Sequence, residues 1–311
     1  MTDFDVIGLG EALIEFNQTE PGKPQYLQGF GGDTSNAVIA AARQGARTAY
    51  LTRIGQVDTF GEQLLDLWRT EGVDTRGVVV DPPANNGIYF VQHGENGHVF
   101  SYARRDSAAA RMQPLDLEHG MIERSRFLHV SGISLAISTS ACDTVFAAMA
   151  RARAANVQVC FDANLRLKLW PMERARATVR AAIALSDIFL PGLDDVEAMT
   201  GLTDPDAIFD WSRQSGARGI VVLKMGKDGA LVDDGHTRTQ VKPHTVKAVD
   251  ATGAGDCFAG SLLARLAAGD SIVDAVDYAN AAAALSTQGY GAVSPLPRPE
   301  QVRALLAAKA G

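Results

Sequence analysis

Near the C-terminal end the chain reads Asp250-Ala251-Thr252-Gly253-Ala254-Gly255-Asp256-Cys257-Phe258-Ala259-Gly260. The segment leaves a β-like stretch and enters a long Ala/Leu-rich helical pattern. Gly253, Ala254 and Gly255 carry little side chain, so their backbone N–H groups lie uncovered at a helix N-terminus. That is a cradle for an anion, favoured further by the helix dipole. Asp256 sits immediately beside it. A phosphate-sized anion site with a carboxylate at its lip suits phosphoryl transfer to an alcohol. Read alone, the segment says that a phosphate is handled near a possible base, Asp256. A carboxylate is a weak base toward an alcohol, so positioning counts for more than base strength.

The rest of the chain must hold this turn. Short apolar strands are expected at Val6 to Gly10, Thr48 to Ile54, Val78 to Val80, Phe127 to Val130, Val157 to Asp162, Ile188 to Leu190 and Gly219 to Lys224. Helical patterns fall at Asn36 to Gln44, Phe60 to Glu71, Ser140 to Ala155, Met172 to Leu185, Asp194 to Thr200 and Ala207 to Ser215, with three more at roughly 255–268, 272–287 and 299–309. This alternation predicts an α/β fold, a mostly parallel sheet covered by helices on both faces. A hairpin turning at Asp234-Gly235 follows the last of these strands. No repeat or linker divides the chain, so one domain is expected over residues 1–311. Two stretches depart from the rhythm, about 12–34 and 87–105. The second contains Glu95-Asn96-Gly97 between β-rich runs, a hairpin signal. Both read as small strands inserted in the α/β body, placed as a lid over one sheet edge.

Sites in open parallel sheets lie beyond the strand C-termini. Four polar clusters fall there: 162–166, 192–197, 224–229 and 250–256. A P-loop is disfavoured, because no G-x-x-x-x-G-K-[ST] is present. Gly8-Leu9-Gly10 is followed by Glu11-Ala12-Leu13 and does not complete a dinucleotide fingerprint.

Asp250 to Gly260 resembles the C-terminal signature of the ribokinase-like, phosphofructokinase-B type carbohydrate kinases. Gly31-Gly32-Asp33-Thr34-Ser35-Asn36 resembles the same family's N-terminal G-G-x-x-x-N sugar loop. Ala251 departs from the pattern, where the family often has Thr. The resemblance spans nearly the whole chain and implies a three-layer α/β/α core, ATP as phosphoryl donor and Mg²⁺ as cofactor. It implies Asp256 as the general base, the N–H groups of Gly253, Ala254 and Gly255 toward charge on the transferring γ-phosphoryl, and sugar contacts from Gly32, Asp33, Asn36, Asp250 and Asp256. Asp194 and Glu197 match the family's N-x-x-E motif with Asp for Asn. At helical spacing they share a face and could reach a Mg²⁺ hydration shell. Lys224-Met225-Gly226-Lys227-Asp228-Gly229 resembles a strand-end nucleotide segment, which assigns Lys224, Gly226 and Gly229 to ATP beside Gly253 and Gly255. Asn280 is expected at the edge of the adenine pocket. In related kinases a monovalent cation such as K⁺ sits where Asp250 and Thr252 match; the sequence leaves open whether this chain takes one.

Two segments speak to the sugar. Tyr89 begins the 87–105 stretch and Tyr102-Ala103-Arg104 ends it, while Asp162-Ala163-Asn164-Leu165-Arg166 closes a strand. Neutral hexoses need no guanidinium, whereas a planar Arg fork binds a carboxylate bidentately. Both segments resemble those of 2-keto-3-deoxygluconate kinases, which implies that Tyr89, Tyr102, Arg104 and Arg166 meet a sugar acid, and that Asn164 and Arg166 also reach the nucleotide. Ala103 departs from a common Tyr-Tyr-Arg run. The expected reaction is ATP-dependent phosphorylation of the 6-hydroxyl of 2-keto-3-deoxy-D-gluconate. A fructokinase is the alternative within the family. A catalytically silent sugar-binding relative is the alternative outside enzymes, but its hallmark, loss of the base or of the anion turn, is absent here.

Composition closes off other classes. The 311 residues are 46% hydrophobic and carry a net charge of −7, with no basic stretch suited to nucleic acid or a membrane surface. No apolar run reaches the length of a membrane span, and no signal peptide is expected. Three cysteines without metal spacing fit a reducing, cytoplasmic compartment. Six scattered histidines offer no metal pair. Apolar outer positions on the lid suggest a homo-oligomer formed through it.

Overall fold

The computed structural model describes residues 2–309 except Pro21, Glu95, Asn96, Glu118 and His119. Its strands are β1 (Phe4–Leu9), β2 (Leu13–Asn17), β3 (Leu27–Gly31), β4 (Thr48–Gly55), β5 (Val73–Asp74), β6 (Val78–Asp81), β7 (Gly87–Gly94), β8 (Gly97–Ala103), β9 (Ser125–Ser131), β10 (Gln158–Asp162), β11 (Ile188–Leu190), β12 (Ile220–Lys224), β13 (Ala230–Asp233) and β14 (Arg238–Val241). Its helices are α1 (Asp33–Arg43), α2 (Phe60–Thr70), α3 (Gly132–Ala136), α4 (Thr139–Ala154), α5 (Met172–Ile183), α6 (Leu193–Thr200), α7 (Pro205–Gln214), α8 (Ala254–Ala268), α9 (Ile272–Ser286) and α10 (Pro299–Lys309).

The main sheet runs β14-β13-β12-β11-β10-β9-β1-β4-β5, with β6 also paired to β4. From β12 to β5 the pairings are parallel; at the other edge β12–β13 and β13–β14 pair antiparallel. Parallel strands buried on both faces need apolar residues at nearly every position. The period-two geometry then divides them between two cores. Val159 and Phe161 of β10 pack with α4 and α5, while Cys160 between them packs with α8 and α9. Phe161 is fully buried, and truncating such a ring to Ala costs about 3–5 kcal/mol.

A second sheet, β3-β2-β7-β8, is built from the two irregular stretches. Its β7 and β8 pair antiparallel up to Gly94 and Gly97. Of the expected Glu95-Asn96-Gly97 turn, Glu95 and Asn96 lie outside the described residues. The first stretch is shorter than expected, because α1 begins at Asp33 rather than at Asn36. Gly32 makes this early start possible. It has a φ of 105°, and a side chain there would strike the Glu11 carbonyl. Beneath β2, a third core gathers Ile14, Val38, Tyr50 and Trp68. Trp68 donates from Nε1 to Ser35 Oγ at 2.9 Å.

Candidate active site

A cavity of about 730 Å³ opens beyond the C-terminal ends of β1, β10 and β12, between the main sheet and the second sheet. Thr252 to Asp256 line its floor. Gly253 caps α8 with a φ of 76°, and a Cβ on it would stand 3.0 Å from that of Ala292. Only glycine fits this left-handed, crowded position. Asp250 anchors the turn from behind. One carboxylate oxygen takes the Thr252 N–H at 2.9 Å and its hydroxyl at 2.6 Å. The other takes the Gly291 N–H and the Asn17 amide, each at 3.0 Å.

Asp256 lies in the first turn of α8. Asn36, brought in by α1, donates to its Oδ2 at 2.8 Å. Burial, with the Asp33 carboxylate next in weight, pushes the Asp256 carboxyl up to about 8, against the Asn36 hydrogen bond and the Lys224 charge. The Asn36 Oδ1 is buried with no partner among the described residues, so it can accept from a ligand hydroxyl. Asp33 is fixed in turn: Asn164 donates to its Oδ2 at 3.0 Å. Asn164 holds a φ of 31° at the end of β10.

Lys224, at the end of β12, donates to Asp162 Oδ2 at 2.5 Å. Burial works against its ammonium, but the attraction and hydrogen bond of Asp162 prevail and raise its pKa. A Cβ on Gly255 would stand 3.7 Å from Lys224 Nζ, so this cation lies close to the α8 N-terminus. Asp195 joins the same group; burial raises its pKa against the pull of Lys224.

The second sheet supplies the opposite wall. Tyr89 is buried, stacks on Tyr102 with ring centroids 6.2 Å apart, and donates its hydroxyl to Glu15. Burial, ahead of the repulsion from Asp250, lifts Glu15 to about 7, with the Tyr89 hydrogen bond opposing. Arg104 is ion-paired to Glu11, and Ser107 Oγ donates to the same carboxylate at 2.5 Å. Arg166, by contrast, is exposed, and its Nη1 donates to the Leu165 carbonyl at 2.8 Å.

Gly32, Asp33, Asn36, Tyr89, Tyr102, Arg104, Asn164, Arg166, Asp194 and Lys224 thus meet around one cavity with the Gly253–Asp256 turn. Five expected residues do not line it. Asp250 is 1% exposed, one oxygen held by Thr252 of the turn and the other by Gly291 and Asn17. Glu197 points to solvent further along α6. The second carboxylate at the cavity is Asp195, which folds back to within 3.1 Å of where a Gly192 Cβ would lie. Gly226 and Gly229 form the turn after β12, and a Cβ on Gly229 would strike the Val241 carbonyl. Asn280 donates to the carbonyls of Val241 and Lys242 at 3.5 and 3.4 Å, bracing the chain after β14. Glu11, Asp162 and Asp195 also line the cavity; the last two fall in polar strand-end clusters visible in the sequence, but none of the three carries an expected role. Glu11 gave one signal, a carboxylate directly after the first strand.

The pfkB family carbohydrate kinase pattern matches residues 3–299. The chain belongs to the pfkB family of carbohydrate kinases. It is 34% identical over 317 residues to a 2-dehydro-3-deoxygluconokinase of Thermoproteus tenax, covering 97% of this chain and 94% of that one. It is 31% identical to fructokinase-1 of Oryza sativa subsp. japonica, covering 97% of each. The crystal structure of a fructokinase from Vibrio cholerae O395, with fructose, ADP and calcium ion bound, superposes with a TM-score of 0.87 at 30% identity, covering 97% of this chain and 98% of that one. The ribokinase-like fold and the kinase class expected from the sequence are therefore those of this chain, while the relatives described here are named for different sugars. Among the described residues no helix is long and apolar enough to cross a membrane.

Proposed function

We propose that this kinase transfers the γ-phosphoryl group of ATP to the 6-hydroxyl of 2-keto-3-deoxy-D-gluconate, yielding 2-keto-3-deoxy-6-phosphogluconate and ADP. The observation that carries the reading is the convergence of Asp256, the α8 N-terminus and two guanidinium groups, Arg104 and Arg166, on one cavity. The similarity to the Thermoproteus tenax kinase supports the same sugar.

In this reading Asn36 and Asp33 hold the sugar over Asp256, which takes the hydroxyl proton as the new P–O bond forms. The N–H groups of Gly253, Ala254 and Gly255, with Lys224 beside them, meet the charge on the transferred group. Asp194 and Asp195 offer hard oxygen donors suited to the hydration shell of Mg²⁺, which usually keeps several waters; when bound, the ion neutralises phosphate charge. The nucleotide phosphates are assigned to the turn. The second sheet is assigned as a lid that excludes water, and a pairing of lids between two copies is supported by the exposed Leu27 and Val99 on it. A cytoplasmic location accords with three free thiols.

A specific observation favours fructose as the second reading: Glu11 already neutralises Arg104, and a neutral sugar needs no net positive wall. ADP release measured across sugars separates the two. Faster turnover of fructose or ribose than of the keto-deoxy acid would overturn the sugar assignment and leave the kinase class standing.

A further inference from the structure

We propose that Glu11 is a positioning residue that aims Arg104 into the cavity and sets the charge of that wall; the inference rests on the reading of the cavity as a sugar-acid site. Glu11 follows β1 by two residues, is 1% exposed and lines the cavity. Its Oε2 accepts from Arg104 Nε at 2.8 Å and also from Nη2. Those two nitrogens form one edge of the guanidinium. Glu11 thus grips Arg104 from the side, and Nη1 donates to none of the described residues. A second oxygen, Oε1, is held by Ser107 at 2.5 Å, so the carboxylate cannot swing away from the pair.

The surroundings are shaped for this grip. Gly87, at the start of β7, has no room for a side chain: its Cβ would stand 2.6 Å from Glu11 Oε1 and 3.2 Å from Arg104 Cβ. The Arg104 guanidinium also lies over the Tyr102 ring, 5.7 Å from its centroid. Core and second sheet are therefore tied at this wall by one buried ion pair, with Arg104 9% exposed in its side chain.

The consequence for recognition is a division of labour. The Arg104–Glu11 pair carries no net charge, so it contributes a planar donor end fixed in orientation. Arg166, which has no ion-pair partner among the described residues, contributes the net attraction for a mono-anion. Selectivity for an acid over a neutral sugar then depends on Glu11 through Arg104, although Glu11 repels the acid directly.

The test is a double-mutant cycle of Glu11→Ala, Arg104→Ala and their combination, with Glu11→Gln as the shape-preserving variant. Glu11→Ala is expected to raise the KM for 2-keto-3-deoxygluconate roughly tenfold, a loss sized for one charge-assisted hydrogen bond, with the KM for ATP unchanged. The double variant is expected to be no worse than Arg104→Ala alone. Glu11→Gln, whose amide oxygen still accepts from Arg104, is expected to recover most of the loss. Additive losses, an unchanged KM in Glu11→Ala, or a Gln variant as impaired as Ala would each overturn the proposal. Should Glu11→Ala not fold, Glu11→Met, which fills the same space without an acceptor oxygen, takes its place in the cycle. Running the cycle on fructose as well separates the two claims: a wild type that prefers fructose contradicts the sugar assignment, while the Glu11–Arg104 coupling measured on that sugar still decides the positioning role.

Discussion

Asn36 Nδ2 donates to Asp256 Oδ2 at 2.8 Å, joining the first helix of the chain to the eighth across 220 residues. The bond favours the ionised carboxylate, while burial and the Asp33 carboxylate favour the neutral form and leave the group at about 8. If Asp256 is the base, kcat/KM rises with pH toward a plateau above that region. Asn36→Ala removes a lowering influence, so its limb is expected to move to higher pH. Paired pH–rate profiles check this; superimposable limbs would separate Asn36 from the titration.

Asp256→Asn should lose at least about a hundredfold in turnover, within the range for removing a general base. Nucleotide binding by calorimetry should persist, because the backbone turn remains. The same variant has a stability signature. The folded carboxyl titrates near 8 rather than at 3.8, so the folded state binds more protons between those values, and wild-type stability falls as pH rises through that window. Asn does not titrate. The variant should therefore melt progressively higher than wild type across it, by roughly 3 °C or more at the top. A melting difference independent of pH would contradict the raised pKa.

Lys224→Met should destabilise the fold by about 3 kcal/mol, because it leaves Asp162 buried without its cation. Urea unfolding measures this. Lys224→Met with Asp162→Asn should recover much of the loss, since neither charge then stands alone. Equal instability in the single and double variants would mean that the pair contributes nothing of its own.

Arg166→Ala should weaken the acid substrate by about tenfold while changing a neutral sugar little, since its charge serves a carboxylate in this account. Ratios of kcat/KM for the two sugars give the answer. Equal losses on both would argue against a carboxylate clamp.

The parts of the site legible in the sequence are local. Gly253 to Asp256 declare themselves because the anion turn and its carboxylate are contiguous, and the parallel sheet follows from apolar runs such as Val157 to Asp162. What stayed hidden depends on distant partners. Nothing near Glu11 announces Arg104, 93 residues away, and nothing near Lys224 announces Asp162. Helical spacing put Asp194 and Glu197 on one face, but only Asp194 lines the cavity, and the carboxylate beside it there is Asp195, folded back over Gly192. Asp250 stands in the same motif as Asp256, yet its oxygens are occupied by Thr252 of the turn and by the distant Gly291 and Asn17. The motif marks both residues; only the packing separates the one that supports the turn from the one that faces the cavity.

The most direct test is a structure with 2-keto-3-deoxygluconate and a non-hydrolysable ATP analogue bound. The account predicts the 6-hydroxyl within roughly 2.6–3.2 Å of the Asp256 carboxylate, and the acid group on Arg104 and Arg166. An acid group turned to solvent, or a different hydroxyl nearest Asp256, would contradict it.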